Sequence, residues 1–576
     1  MSKKPVIEFR DFSFKYKSQN EYTLHNINLT IYEGEKVLLL GPSGCGKSTL
    51  ANCINGLIPF SFKGESKGSC KVAGQEVNKA SIFQISEHVG TVLQDSDAQF
   101  VGLSAGEDIA FSLENECMPR IEMLPKVEQA ADIVDMVDFL GHVPFDLSGG
   151  QKQKVALAGV LHNKDGKVLL FDEPLAALDP KMGNTAVDLI DRIQKDQNKT
   201  VLIIEHRLED VLYRPVDRIV LMHEGSILMD TTPDELLRSD ALFENGIREP
   251  LYITALKHAG CTFSDQEHLS VIDELDLEKF APLLKKEMEK PTCAIEQHLG
   301  DVLIEANHVS FSYDGVHNVL DDVSFKIRQK EKIALVGKNG AGKSTMAKVL
   351  CGILRPVSGE VLFNGDNYVE YSIKELGSKI GYVMQNPNQM IVKDMIYDEV
   401  ALALQLNGYD EGQIRDRVFE TLKMCDLYPM RNWPVEALSY GQKKRVTIAS
   451  IMALRPSIMI LDEPTAGQDY KRYTEIMDFL DELNTDFGVT ILFITHDMHL
   501  AIEYTDRAIV FSDSKLIGDD SVFSVLSDPD IIERANLKQT SLYSLAKAAN
   551  IPPKEFIRHF IEVERKERKD GQEATY

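Results

Sequence analysis

The chain has 576 residues, 43% of them hydrophobic and 26% charged, and a formal net charge of −26. It is too long for one core, its composition is that of a folded globular protein, and its acidity excludes general nucleic-acid binding outside a concentrated basic patch. Eight cysteines (Cys45, Cys53, Cys70, Cys117, Cys261, Cys293, Cys351, Cys425) lie scattered without CxxC pairs, which argues against a disulfide framework or zinc site and for buried free thiols.

No apolar run approaches the roughly 18 residues of a membrane span. The start, MSKKPVIEFRDF, has lysines but lacks the apolar core of a secretory signal, so a cytosolic chain is expected. The short basic clusters QKKR (442–445) and ERKERK (564–569) read as solvated helix faces.

In chain order, VIEFRDFSFKY (6–16) and INLTI (27–31) come first, the second alternating apolar and polar as a half-exposed antiparallel strand does. KVLLL (36–40), VLLF (168–171) and VLII (201–204) follow as short continuous apolar runs, the mark of parallel strands buried on both faces. A segment over 236–300, acidic overall and partly helical, is expected to act as tether and small accessory subdomain. The order then repeats: LIEANHVSFSY (303–313), VSFKI (323–327), KIALV (332–336), IMIL (458–461) and ILFI (491–494). The chain is thus a tandem duplication of one α/β domain, with copies over 1–235 and 301–525 and a charged C-terminal tail over 526–576, whose end, HFIEVERKERKDGQEATY (559–576), reads as a charged helix fraying into a disordered tail.

The apolar runs end in chemistry. GPSGCGKST (41–49) and GKNGAGKST (337–345) each follow a strand and fit the Walker A phosphate loop, whose backbone N–H groups surround phosphate oxygens at a helix N-terminus. The candidate phosphate cradles are Gly41, Ser43, Gly44, Cys45, Gly46 and Thr49 in the first copy, and Gly337, Asn339, Gly340, Ala341, Gly342 and Thr345 in the second. Lys47 and Lys343 would neutralise β and γ phosphates, and Ser48 and Ser344 would complete a Mg²⁺ shell. Cys45 is read as a small residue whose backbone does the work.

Asp172 and Asp462 end Walker B strands and would reach the metal. Glu173 and Glu463, one residue on, are placed to polarise a water for attack on the γ-phosphate. His206 and His496 end the next strand, each 33 residues after its glutamate, and the equal spacing favours a role in positioning that water. LSGGQKQKV (147–155) and LSYGQKKRV (438–446) share a Ser-x-x-Gln capping box, Ser148 with Gln151 and Ser439 with Gln442, so a helix start would present N–H groups and a positive dipole end.

These motifs, in this order in both copies, resemble the ATP-binding cassette (ABC) ATPases over roughly 5–235 and 302–525. The resemblance implies two tandem P-loop cassettes, each with a parallel core sheet, an N-terminal antiparallel β subdomain and a helical signature subdomain, using ATP and Mg²⁺. It implies an intramolecular cassette dimer with composite sites: Lys47 closed by Ser439, Tyr440 and Gly441, and Lys343 closed by Ser148, Gly149 and Gly150. It also implies adenine stacking on Tyr16 and Tyr313, metal contact and catalysis at the Q-loop residues Gln94 and Gln385, and coupling between sites through Asp179 and Asp469. Tyr440 departs from the family glycine, and its side chain is expected to point away from the nucleotide, leaving both sites hydrolytic.

QDSDAQFVGLSAGEDIAFSLEN (94–115) is similar to the corresponding segment of energy-coupling factor transporter ATPases, whereas 385–405 keeps only the Gln-Asn-Pro opening. That likeness implies peripheral attachment at the cytoplasmic face of the cell membrane, an integral membrane scaffold (T-type) partner received near 104–114 and 395–405, and a small substrate-capture (S-type) membrane protein taking up a vitamin or metal ion. Two rivals stand beside it. A soluble twin-cassette translation factor commonly has a basic linker, whereas this one is acidic; the fused ATPase of a sugar-type importer commonly has a degenerate second Walker A, whereas this one is intact.

Overall fold

The computed structural model describes residues 4–93, 99–147, 149–161, 166–175, 178, 180–292, 300–466 and 468–573. The chain divides into two compact units, Met1–Asp276 and Leu277–Tyr576. Each carries one antiparallel and one mostly parallel sheet, so the duplicated α/β architecture read from the sequence is the architecture observed.

In the first unit a four-stranded sheet runs in the order Leu24–Tyr32, Pro5–Tyr16, Gly64–Val72, Gln75–Glu76. Leu24, Ile27, Leu29 and Ile31 turn inward while Asn26 and Asn28 face out, the alternation a one-sided sheet requires. The second sheet runs Ser226–Thr231, Arg218–His223, Lys36–Leu40, Thr200–Ile204, Val168–Asp172, Val89–Val92. All its pairings are parallel except the outer 218–223/226–231 pair. Val37 to Leu40 are fully buried, and each such aliphatic side chain contributes about 1.5–3 kcal/mol of transfer free energy. That continuous burial explains why this run does not alternate.

The second unit repeats the plan. Asn318–Arg328, Val302–Ser312, Ser358–Phe363 and Asp366–Asn367 form the antiparallel sheet. Ile380–Val383, Ile458–Asp462, Thr490–Ile494, Lys332–Gly337, Arg507–Ser512 and Lys515–Ser521 form the other. Because 458–462, 490–494 and 332–337 are adjacent and parallel, their C-terminal ends open on one edge. Ligands of open α/β sheets gather at such an edge.

Residues 236–300 are shared between the units. Leu251–His258 packs within the first, and Leu277–Met288 belongs to the second. The last segment is helical from Pro553 to Glu573, and Phe556, Ile557, Phe560 and Ile561 on it are buried. The charge run at 564–569 dominates the sequence there, but the i, i+1, i+4, i+5 apolar set before it makes a packed stripe. Arg565 fixes the charged half through an ion pair of 2.6 Å to Asp506.

Candidate nucleotide sites

Each glycine loop is shaped by backbone that only glycine tolerates. Gly337 has φ +141°, and a Cβ there would stand 2.0 Å from the carbonyl oxygen of Phe511. Gly46 and Gly342 take φ +103° and +101° as N-caps of the helices Lys47–Ile54 and Lys343–Leu350. The loop thereby leads directly into a helix start, where the dipole is positive. Lys47 Nζ donates to the carbonyls of Gly41 (2.7 Å) and Pro42 (2.9 Å); Lys343 Nζ donates to those of Gly337 (2.7 Å) and Lys338 (2.9 Å). Both lysine side chains are buried, and Lys47 Nζ also lies 4.0 Å from the Cys45 sulfur.

The acidic pair follows the neighbouring strand. Burial, with the Glu173 charge, pushes the Asp172 carboxyl up to about 6 against the opposing pull of Lys47 and His206. Asp462 is likewise raised, chiefly by burial; hydrogen bonds from Tyr382 and Ser344 and the charge of Lys343 oppose the rise. A half-buried carboxyl group of this kind, in the second copy hydrogen-bonded by Ser344 after the loop lysine, is a donor set that a hard divalent cation suits.

Glu173 and Glu463 both take left-handed backbone, φ +48° and +46°. A non-glycine residue is strained there, and the strain recurs at the same place in both copies. Their amides donate to Ile204 and Ile494 carbonyls at 2.9 Å, pinning them beside the strand that carries the histidine. His206 Nε2 lies 2.6 Å from Glu173 Oε1, and His496 Nδ1 lies 2.7 Å from Glu463 Oε1. Burial alone would raise the Glu173 carboxyl, but the His206 hydrogen bond and the charges of His206, Lys47 and Arg207 outweigh it and leave it below its ordinary value. Glu173 is therefore an anion at neutral pH, the form that can accept a proton.

Tyr16 and Tyr313 share hydroxyl hydrogen bonds with Thr49 (3.1 Å) and Thr345 (3.3 Å), so each aromatic stands against its phosphate-loop helix. Ser439 is the N-cap of Tyr440–Met452, with the reciprocal bonds to Gln442 that the capping box requires. Gly441 sits in its first turn, as Gly150 does in the corresponding helix Gly149–Leu161. Asp469 is the buried N-cap of Tyr470–Phe487. Gln385 follows strand Ile380–Val383 and is exposed. Gln94, Ser148, Asp179 and Cys293 fall outside the described residues.

The helices expected near 104–114 and 395–405 are Ala105–Asn115 and Ile396–Leu406. Each stabilises the loop before it through an acidic residue. Asp108 accepts from the amides of Val101 (2.8 Å) and Gly102 (2.9 Å), and Glu399 from those of Val392 (2.9 Å) and Lys393 (2.7 Å).

Sequence reasoning missed two residues. Tyr382, whose hydroxyl donates to Asp462 at 3.0 Å, replaces Thr91 of the first copy. Lys444 is buried, and its Nζ donates to the carbonyls of Met384 (3.3 Å) and Gln385. The signal for both was the aligned repeat, in which each stands opposite a different residue type.

A glycine loop with an inward lysine, a metal-suited aspartate and a glutamate–histidine pair at one sheet edge define a P-loop nucleoside triphosphatase. The ABC transporter family model matches residues 24–176 and 320–466. The chain is 55% identical to an ABC transporter ATP-binding protein of Clostridium perfringens, over 98% of this chain and 99% of that one. It is 54% identical to one of Enterococcus faecalis, over 98% and 100% of the two chains. The chain belongs to the ABC transporter ATP-binding family, and it is an ATPase with two tandem cassettes that powers transport. A further family model, described as ATP-binding cassette cobalt transporter, matches residues 239–311. Among solved structures, cbiO1 of Clostridium perfringens, part of the ABC transporter complex cbiONQ, is 33% identical, covering 41% of this chain and 95% of that one with a TM-score of 0.38. Among the described residues, no helix is long and apolar enough to cross a membrane.

Proposed function

We propose that this chain energises uptake of a micronutrient, a transition-metal ion or a vitamin, as the ATPase of an energy-coupling factor type transporter. The observation that carries the reading is the family match over 239–311, a stretch outside the shared ATPase motifs whose model is described by cobalt transport. The acidic, loop-stabilising helices Ala105–Asn115 and Ile396–Leu406 support it. Val101, Leu103 and Phe111 beside the first are exposed apolar residues, as a surface awaiting an apolar partner would have.

In this reading ATP binds at Lys47 and at Lys343, and Tyr16 and Tyr313 stack on adenine. Ser48, Asp172 and Gln94, with Ser344, Asp462 and Gln385, would hold Mg²⁺, which supplies charge neutralisation at the phosphates. Glu173 and Glu463 accept the proton of the attacking water while His206 and His496 orient them. The two cassettes pair within the chain, so that Ser439 and Gly441 close the Lys47 site and Ser148 and Gly150 close the Lys343 site. Tyr440 leaves the first of these competent, because its hydroxyl is engaged by a carbonyl of its own cassette. Two bound ATP favour the closed pair, hydrolysis releases it, and the coupling helices pass the motion to a membrane scaffold bearing a substrate-capture protein at the cytoplasmic face.

The test is purification of the tagged chain from detergent-solubilised native membranes and, separately, from ribosome fractions, with partners identified by mass spectrometry. An integral membrane scaffold together with a small capture protein is expected. Ribosomal proteins without a membrane partner would overturn the reading.

A further inference from the structure

The signature stretch of the second cassette departs from the first at three positions, Tyr440, Lys444 and Arg445, and the first two of these departures end on one backbone atom. Tyr440 stands where the first copy has Gly149, and Lys444 where it has Gln153. The Tyr440 hydroxyl donates to the Gln385 carbonyl at 3.2 Å. Lys444 Nζ donates to the same carbonyl at 2.5 Å, to that of Met384 at 3.3 Å, and reaches that of Glu463 at 3.5 Å. A carbonyl oxygen has two lone pairs and an ammonium three donors, so both the Gln385 acceptor and the Lys444 donor set are filled.

Lys444 is 1% exposed. An ammonium so buried persists only where its hydrogen bonds are complete, because removal from water is costly. Here its partners are the backbone of the Q loop on one side and of Glu463 on the other. Lys443 adds a tie, its Nζ donating to Asn388 Oδ1 at 3.3 Å. In the first cassette the corresponding Gln153 donates to the carbonyl of Pro174, next to Glu173. Lys444 therefore joins three things, the signature helix, the Q loop and the segment after Walker B, in one cluster of charge-assisted bonds.

We propose that Tyr440 and Lys444 are positioning residues that clasp the Q loop and the Glu463 backbone to the signature helix of the second cassette, so that movement of this helix is delivered to the Lys343 site. The proposal rests on the reading that the Lys343 site hydrolyses ATP. Removal of the clasp leaves the phosphate loop and its lysine intact, so binding is retained while alignment for hydrolysis is lost.

The experiment uses the full chain with Glu173→Gln, so that turnover reports the Lys343 site. Lys444→Met is expected to lower kcat at least tenfold with KM for ATP within about twofold, Tyr440→Phe to lower it about threefold, and Lys444→Arg to retain more activity than the methionine variant. Because both donors share one acceptor, the double variant should lose less than the product of the single losses. Hydrogen exchange of the amides over 384–391 should accelerate in both single variants. Unchanged kcat and exchange in Lys444→Met, while Glu463→Gln in the same background abolishes turnover, would overturn the clasp. Turnover that survives Glu463→Gln would overturn the reading of the site instead. If Lys444→Met does not fold, Tyr440→Phe decides by exchange alone: Q-loop amides as protected as in the parent would overturn the proposal.

Discussion

Gly337→Ala isolates what the glycine loop contributes. The substitution places a Cβ 2.0 Å from the carbonyl oxygen of Phe511 and 3.0 Å from its carbon, at φ +141°. Phe511 is in strand Arg507–Ser512, which pairs in parallel with Lys332–Gly337, so the obstacle is ladder backbone that cannot swing aside like a side-chain tip. Forcing an L-residue into this region costs about 1–3 kcal/mol, and overpacking against fixed atoms costs about 1–3 more, for a total of about 4 kcal/mol. At roughly 2–4 °C per kcal/mol for a domain of this size, the second cassette should melt about 8–16 °C earlier. Gly340→Ala is the internal control: its φ is +79°, but a Cβ there meets nothing within 4 Å, so only the strain applies.

Differential scanning calorimetry of the full chain measures both. Displacement of the Gly337 carbonyl also removes an acceptor of Lys343, so ATP affinity at that site should fall in Gly337→Ala more than in Gly340→Ala. Melting of the two variants within about 2 °C of each other would refute the argument from space.

His496→Ala removes the partner 2.7 Å from Glu463 and should lower turnover of the Lys343 site about 10²-fold with ATP affinity retained, as read from single-turnover kinetics; an equal loss in affinity would contradict a positioning role. Phe560→Ala opens the buried stripe of the last helix and should cost about 3–5 kcal/mol. A chain unaffected in its melting would mean that this helix contributes no core.

The duplicated chemistry was legible because phosphate binding demands contiguous sequence: a glycine loop, its lysine and the following serine cannot be dispersed. The equal spacing from glutamate to histidine anticipated a real contact, since adjacent parallel strands bring both residues to one edge. Tyr382 to Asp462 spans 80 residues and ends on a side chain named for another role. The clasp ends on backbone carbonyls, which leave no trace in composition. Residues 559–576 were read from their charges, and the four apolar residues that pack, Phe556, Ile557, Phe560 and Ile561, were too short a period to stand out beside them. The division of 236–300 between two units was hidden because a segment without a motif gives no sign of which core its helices join.

The most direct test is steady-state ATP turnover of the full chain with Glu173→Gln, Glu463→Gln and both together. The account predicts that each single variant loses at least about half of the turnover and that the double variant falls about 10²–10³-fold while still binding ATP, because each carboxylate serves its own site. A Glu173→Gln variant with unchanged turnover would show that the Lys47 site is not hydrolytic, and a double variant that retains most of its activity would contradict the assignment of these glutamates altogether.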